Sequence, residues 1–164
     1  MIIDSHCHLN MEEFNKDLDQ VIFNARKNHI TGFLTICTKI NELKDLQNIA
    51  RKYNLWYSGG IHPNNITNKQ SYENLSDLYK FSNDERFIGI GETGLDFYYS
   101  NEYKEHQINS LLQHINISRE LNLPIIIHTR NADKDTIEIL KSEYKRGKYK
   151  GLIHCFTATK ELAV

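Results

Sequence analysis

Five of the eight histidines stand at or just past the ends of short apolar runs: His6 and His8, His62, His128 and His154. Imidazole is a common neutral metal ligand and titrates near neutral pH, so a group of them at one set of chain ends points to metal-assisted chemistry. In Asp4-Ser5-His6-Cys7-His8, alternation along a strand sends Asp4, His6 and His8 to one face and Ser5 and Cys7 to the other. Two imidazoles on one face can hold one divalent ion. Taken alone, the same pair reads equally well as two hydrogen-bonded histidines near a strand end; the other strand ends tip the balance. Gly91-Glu92-Thr93-Gly94-Leu95-Asp96 sets a carboxylate directly after the apolar run 87–91, between glycines that let the backbone turn sharply. A buried, ionised carboxylate is costly unless it meets a cation, and a carboxylate can bridge two metals. Asp96 reads equally as support for a ligand or as a turn and capping residue.

Pro124-Ile125-Ile126-Ile127-His128-Thr129-Arg130 and Gly151-Leu152-Ile153-His154-Cys155 each end an apolar run with a histidine, supplying imidazole nitrogens for a second ion. Arg130 stands beside that site, where its fork fits a phosphate or, alternatively, a nearby acid. Gly59-Gly60-Ile61-His62-Pro63 permits close approach and fixes the exit of the chain, so His62 is expected to touch substrate rather than metal. His29, His106 and His114 fall in or beside helical patterns and read as surface or packing residues. The basic run Lys141, Lys145, Arg146, Lys148 and Lys150 spans a helix end and the following loop. It reads as cations favoured by a helix C-terminus rather than as a nucleic-acid patch.

These residues need a scaffold that aligns strand ends. Six runs rich in β-branched or aromatic residues, 2–6, 32–38, 55–61, 87–91, 124–128 and 151–156, alternate with helical patterns expected to run 10 to 20 residues. That is the pattern of βαβ units on a parallel sheet. Leu18, Val21, Ile22 and Ala25, and again Ile108, Leu111, Leu112 and Ile115, recur at spacings of three and four and give each helix one buried face. Strand starts recur about every 30 residues, close to the repeat of a (β/α)8 barrel of about 250 residues, whose catalytic residues gather at the C-terminal strand ends. The expected fold is therefore an α/β, TIM-barrel type that is incomplete, with about the first six strands and five to six helices. No linker or compositional break divides residues 1–164, which read as a single domain.

The 164 residues carry 20 Lys and Arg against 21 Asp and Glu, a balance unlike the basic field of a dedicated nucleic-acid scaffold. A chain this long buries enough surface for a real core. No apolar run approaches a membrane span, and Met1-Ile2-Ile3 runs directly into Asp4 without a signal-peptide pattern. Cys7, Cys37 and Cys155, odd in number and without CxxC spacing, fit a reducing compartment. A cytoplasmic protein without membrane association is expected, and no obligate protein partner is evident.

Asp4-Ser5-His6-Cys7-His8-Leu9, Gly60-Ile61-His62-Pro63, Gly89-Ile90-Gly91-Glu92-Thr93-Gly94-Leu95-Asp96, Ile127-His128-Thr129-Arg130 and His154-Cys155-Phe156 together resemble the TatD family of metal-dependent DNases, in the family's order and at barrel spacing. The resemblance implies a TIM-barrel hydrolase that cleaves phosphodiester bonds in DNA with two divalent ions, Mg, Mn or Zn. It implies His6 and His8 as ligands of one ion, Glu92 as the bridge, His128 and His154 as ligands of the other, and Glu92, His62 and Arg130 as the catalytic set. The implied mechanism activates a water on one ion while the pair clamps the phosphate oxygens. The family's late aspartate ligand has no counterpart here, and the last two βα units are missing, so the chain reads as C-terminally truncated. Two alternatives follow: a catalytically inactive remnant, or a metal-dependent hydrolase of another ester or amide.

Overall fold

Six parallel strands in sequence order form one sheet: β1 (Ile2–Cys7), β2 (Ile30–Thr35), β3 (Trp56–Gly59), β4 (Phe87–Asp96), β5 (Ile125–Arg130) and β6 (Gly151–Ile153). This is a computed structural model, and it describes residues 2–164. Between and after the strands lie α1 (Leu18–Lys27), α2 (Leu43–Tyr53), α3 (Ser76–Phe81), α4 (Lys104–Leu121), α5 (Asp133–Arg146) and α6 (Lys160–Ala163). Strands covered by helices on one side and packed inward on the other read as continuous apolar runs, and Ile125, Ile126 and Ile127 are all buried. α2 buries Leu43, Leu46, Gln47, Ala50 and Tyr53 at helical spacing and stops at Asn54, whose left-handed φ of 55° ends it. The larger core cluster joins α2 and α3 to the first four strands through Leu46, Leu78, Cys7, Phe33, Tyr57 and Ile90. A smaller one joins α4 to β4 and β5 through Leu95, Leu111, Ile115 and Ile127.

The sheet curls strongly. Neighbouring strands lie about 4.8 Å apart, so a flat sheet would hold its first and sixth strands roughly 24 Å from each other. Instead the rings of His6, on β1, and His154, just past β6, stack with centroids 4.0 Å apart. Six strands added in order on one side and curled this far are an arc of a (β/α) barrel, the expected incomplete TIM type. Among the described residues no helix is long and apolar enough to cross a membrane.

Strand ends and two helices differ from the sequence expectation. β4 runs to Asp96, so Glu92 lies inside it rather than after it. Gly91 and Gly94, with φ of 134° and 146°, bend the strand without ending it. Residues Thr93 to Asp96 still pair with Ile127 to Arg130. β2 starts at Ile30 and stops at Thr35, and β6 stops at Ile153, leaving His154 beyond it. α3 has only six residues and α6 four, not 10 to 20. The stretch after β3 is taken up by two short 3-10 turns, Pro63–Asn65 and Lys69–Tyr72; the first begins on a proline and the second is capped by the Asn68 side chain.

Candidate metal centre

Glu92 is the hub. Its side chain is 3% exposed, and its two oxygens face different histidines. Oε2 lies 3.2 Å from His6 Nε2 and 4.0 Å from His8 Nε2. Oε1 lies 3.1 Å from His128 Nδ1, 2.5 Å from His154 Nε2 and 3.5 Å from His62 Nε2. All five strand-end histidines of the sequence reading therefore meet one carboxylate. Close approach of backbones makes this possible: a Cβ on Gly94 would collide with the His128 carbonyl oxygen, and one on Gly60 would lie 2.5 Å from Gly91 Cα.

The partners of each ring fix which nitrogen is free. The His8 Nδ1–H donates to the Ile36 carbonyl at 3.2 Å, so the Nε2 lone pair looks at Glu92 Oε2. That 4.0 Å gap is about two metal–ligand bonds of 2.0 to 2.1 Å. His128 Nε2 faces Asp96 Oδ2 at 3.0 Å. A proton there leaves the Nδ1 lone pair toward Glu92 Oε1, a contact that needs a cation to be favourable. Among the described residues His6 Nε2 and His154 Nε2 are buried without a hydrogen-bond partner, although both lie close to Glu92. Orphaned, buried imidazole nitrogens around a carboxylate are the donor set of a metal site, and the residues present fit divalent ions on both sides of Glu92.

His62 differs from these. Its Nδ1 accepts the Asn64 N–H at 3.2 Å, so in the neutral ring Nε2 carries the proton and donates. His62, Glu92 and His128 are close enough to form a three-ligand group, as are His6, His8 and Glu92. With Nδ1 taken by Asn64, the neutral ring turns its Nε2–H toward the Oε1 side of Glu92.

Electrostatics follow from burial and these contacts. Burial opposes ionisation of Glu92, but contacts with His128, His154 and His6 and the nearby His62 outweigh it and hold the carboxyl far below the usual range. Burial pushes His62 down to about 4 and lowers His8, with His6 adding to the second shift. For His128, burial is outweighed by Glu92 and Asp96, which raise it.

Asp96 makes two contacts: Oδ2 meets His128, and Oδ1 accepts the Tyr98 N–H at 3.0 Å. Among the described residues Arg130 meets no acid. Its guanidinium lies 3.6 Å over the Tyr98 ring, a partner that sequence spacing does not announce. His114, read from the sequence as a surface or packing residue, is fully buried in α4, and its Nε2 accepts the Ile61 N–H at 3.2 Å, so it braces the chain into His62. At helical spacing beside Leu111 and Ile115 it gives no signal other than packing.

A family model described as TatD related DNase matches residues 3–164. The chain is 38% identical over 168 residues to the uncharacterized metal-dependent hydrolase YcfH of Escherichia coli K12, covering 99% of this chain and 61% of that protein. It is 32% identical to the uncharacterized metal-dependent hydrolase YabD of Bacillus subtilis, over 99% of this chain and 64% of that one. With the human deoxyribonuclease TATDN3 it shares 29% identity, over 99% and 63%. The crystal structure of YJJV, a TatD homolog from Escherichia coli, superposes with a TM-score of 0.87 at 23% identity, covering 99% of this chain and 62% of that one, and so shares its fold. The chain spans about three-fifths of the length of the curated relatives it matches.

Proposed function

Because this chain belongs to the TatD-related DNase family, we propose that its histidine-lined centre hydrolyses phosphodiester bonds in DNA with two divalent metal ions. The observation that carries the reading is the split of Glu92, Oε2 toward His6 and His8 and Oε1 toward His128 and His154. Bound ions there would supply Lewis-acid activation of water and neutralise phosphate charge. Glu92 holds the two imidazole sets at fixed separation on its rigid strand. Asp96 fixes the ring of His128. His62, neutral near pH 7 because burial holds it at about 4, offers Nε2–H to an oxygen of the reacting phosphate. Arg130, exposed and unpaired with any acid among the described residues, offers donors to a neighbouring phosphate. The free cysteines Cys7, Cys37 and Cys155 support a reducing, cytoplasmic setting.

The test is release of nucleotides from end-labelled DNA with magnesium, manganese or EDTA, beside Glu92→Gln. Release that needs metal is expected. Glu92→Gln should lower it by more than the roughly 10- to 100-fold cost of losing a group that merely supports a ligand. A folded wild type that releases nothing in either metal overturns the reading.

A further inference from the structure

Beyond the imidazoles, the face of β5 that carries His128 continues outward to Arg130, two residues on and about 6.6 Å further along the strand. Arg130 is stacked against Tyr98 and also lies 5.2 Å from the centre of the Tyr99 ring. Its Nη1 donates to Tyr99 Oη at 3.3 Å. The two rings meet edge to face, centroids 5.0 Å apart at 87°. This unit is tied to the metal centre by one carboxylate, since Asp96 takes the Tyr98 N–H on Oδ1 and His128 on Oδ2. Although braced, the rings are left open to solvent, Tyr98 at 53% and Tyr99 at 71% exposure. Beside Tyr99 lies a hollow of about 280 Å³ lined by Pro63, Ile66, Thr67, Asp96 and Tyr103.

Charge gives the direction of approach. On the His8 side the centre opens into a cleft of about 840 Å³ whose lining carries six carboxylates, Glu12, Glu13 and Asp45 among them, against three lysines. A polyanion is repelled there and drawn toward Arg130. An ordered aromatic face beside a guanidinium matches an unpaired nucleobase and its phosphate: the base stacks, and the cation meets the backbone.

We propose that Tyr99, held in place by Arg130 and Tyr98, is the stacking subsite for a nucleobase of the strand whose phosphate lies at the metal centre. Tyr99 supplies the face, and Arg130 positions it and meets the adjoining phosphate. The proposal rests on the nuclease reading for its substrate but is tested by binding alone.

Fluorescence anisotropy in EDTA compares a labelled oligothymidylate with an abasic strand of equal length and charge. Wild type should bind the oligothymidylate about tenfold more tightly. Tyr99→Ala should remove that preference, so that the variant binds the two strands alike, and Tyr99→Phe, which keeps the face, should retain it. Arg130→Gln should weaken both strands. Equal binding of the two strands by the wild type, or a preference that survives Tyr99→Ala, overturns the subsite. Read beside the separate nucleotide-release assay, DNA cleavage without base preference removes the subsite and spares the nuclease. A base preference without cleavage does the reverse.

Discussion

His128 stands between two carboxylates, Glu92 and Asp96. With the Nε2 proton committed to Asp96 at 3.0 Å, the ring turns Nδ1 toward Glu92. Asp96→Asn should therefore weaken Mn2+ binding by about 10- to 100-fold, read by isothermal titration calorimetry; unchanged affinity would mean that Asp96 does no more than shape the turn through Tyr98. His62 is distinguished by its Asn64 contact. His62→Ala should keep the metal stoichiometry of the wild type and lower turnover by about 10² to 10³, the cost of one hydrogen-bond donor to developing charge. Loss of a bound ion would instead make it a ligand. The His6-x-His8 spacing, Glu92 and the two strand-end histidines were legible because each residue type is costly inside an apolar strand end without a cation. The Tyr99–Arg130 contact was not, since a hydrogen bond between residues 31 apart depends on the pairing of β4 with β5.

Among the elements, α4 does more than cover the sheet. His114 accepts the Ile61 N–H and contacts the Ser110 carbonyl at 2.8 Å, joining the helix to the loop that carries His62. Burial pushes this imidazole from 6.5 down to about 4. The unfolded chain therefore takes up the proton first. The contribution is complete above about pH 6.5 and is lost as pH falls toward 4, by up to about 1.4 kcal/mol per pH unit. Chemical denaturation at several pH values should show His114→Gln less stable than wild type at pH 7 but with a shallower loss between 6.5 and 5; parallel curves would contradict this role. Strand starts were legible from β-branched runs, but the end of β4 was not. Gly91 and Gly94 read locally as terminators, whereas in the sheet their positive φ lets the strand bend past Glu92 and pair on with β5. The short α3 was hidden for a related reason: the turns from Pro63 to Tyr72 consume chain that a spacing argument assigns to a helix.

At the scale of the molecule, the order of six strands was legible from the recurrence of βα units. The closeness of β1 to the end of β6 came only from the accumulated curl. Among the described residues β1 and β6 each pair on one side only, and Ile3 and Leu152 are about half exposed there. The same curl assembles the centre, because its donors come from β1, the loop after β3, β4, β5 and the end of β6. In the proposed function one carboxylate, Glu92, organises two ion sites. The most direct test is titration of metal-stripped protein with Mn2+, wild type beside Glu92→Gln. Two ions per wild-type chain, with at least one lost in the variant, is the predicted result; no binding, or the same stoichiometry and affinity in both proteins, would contradict it.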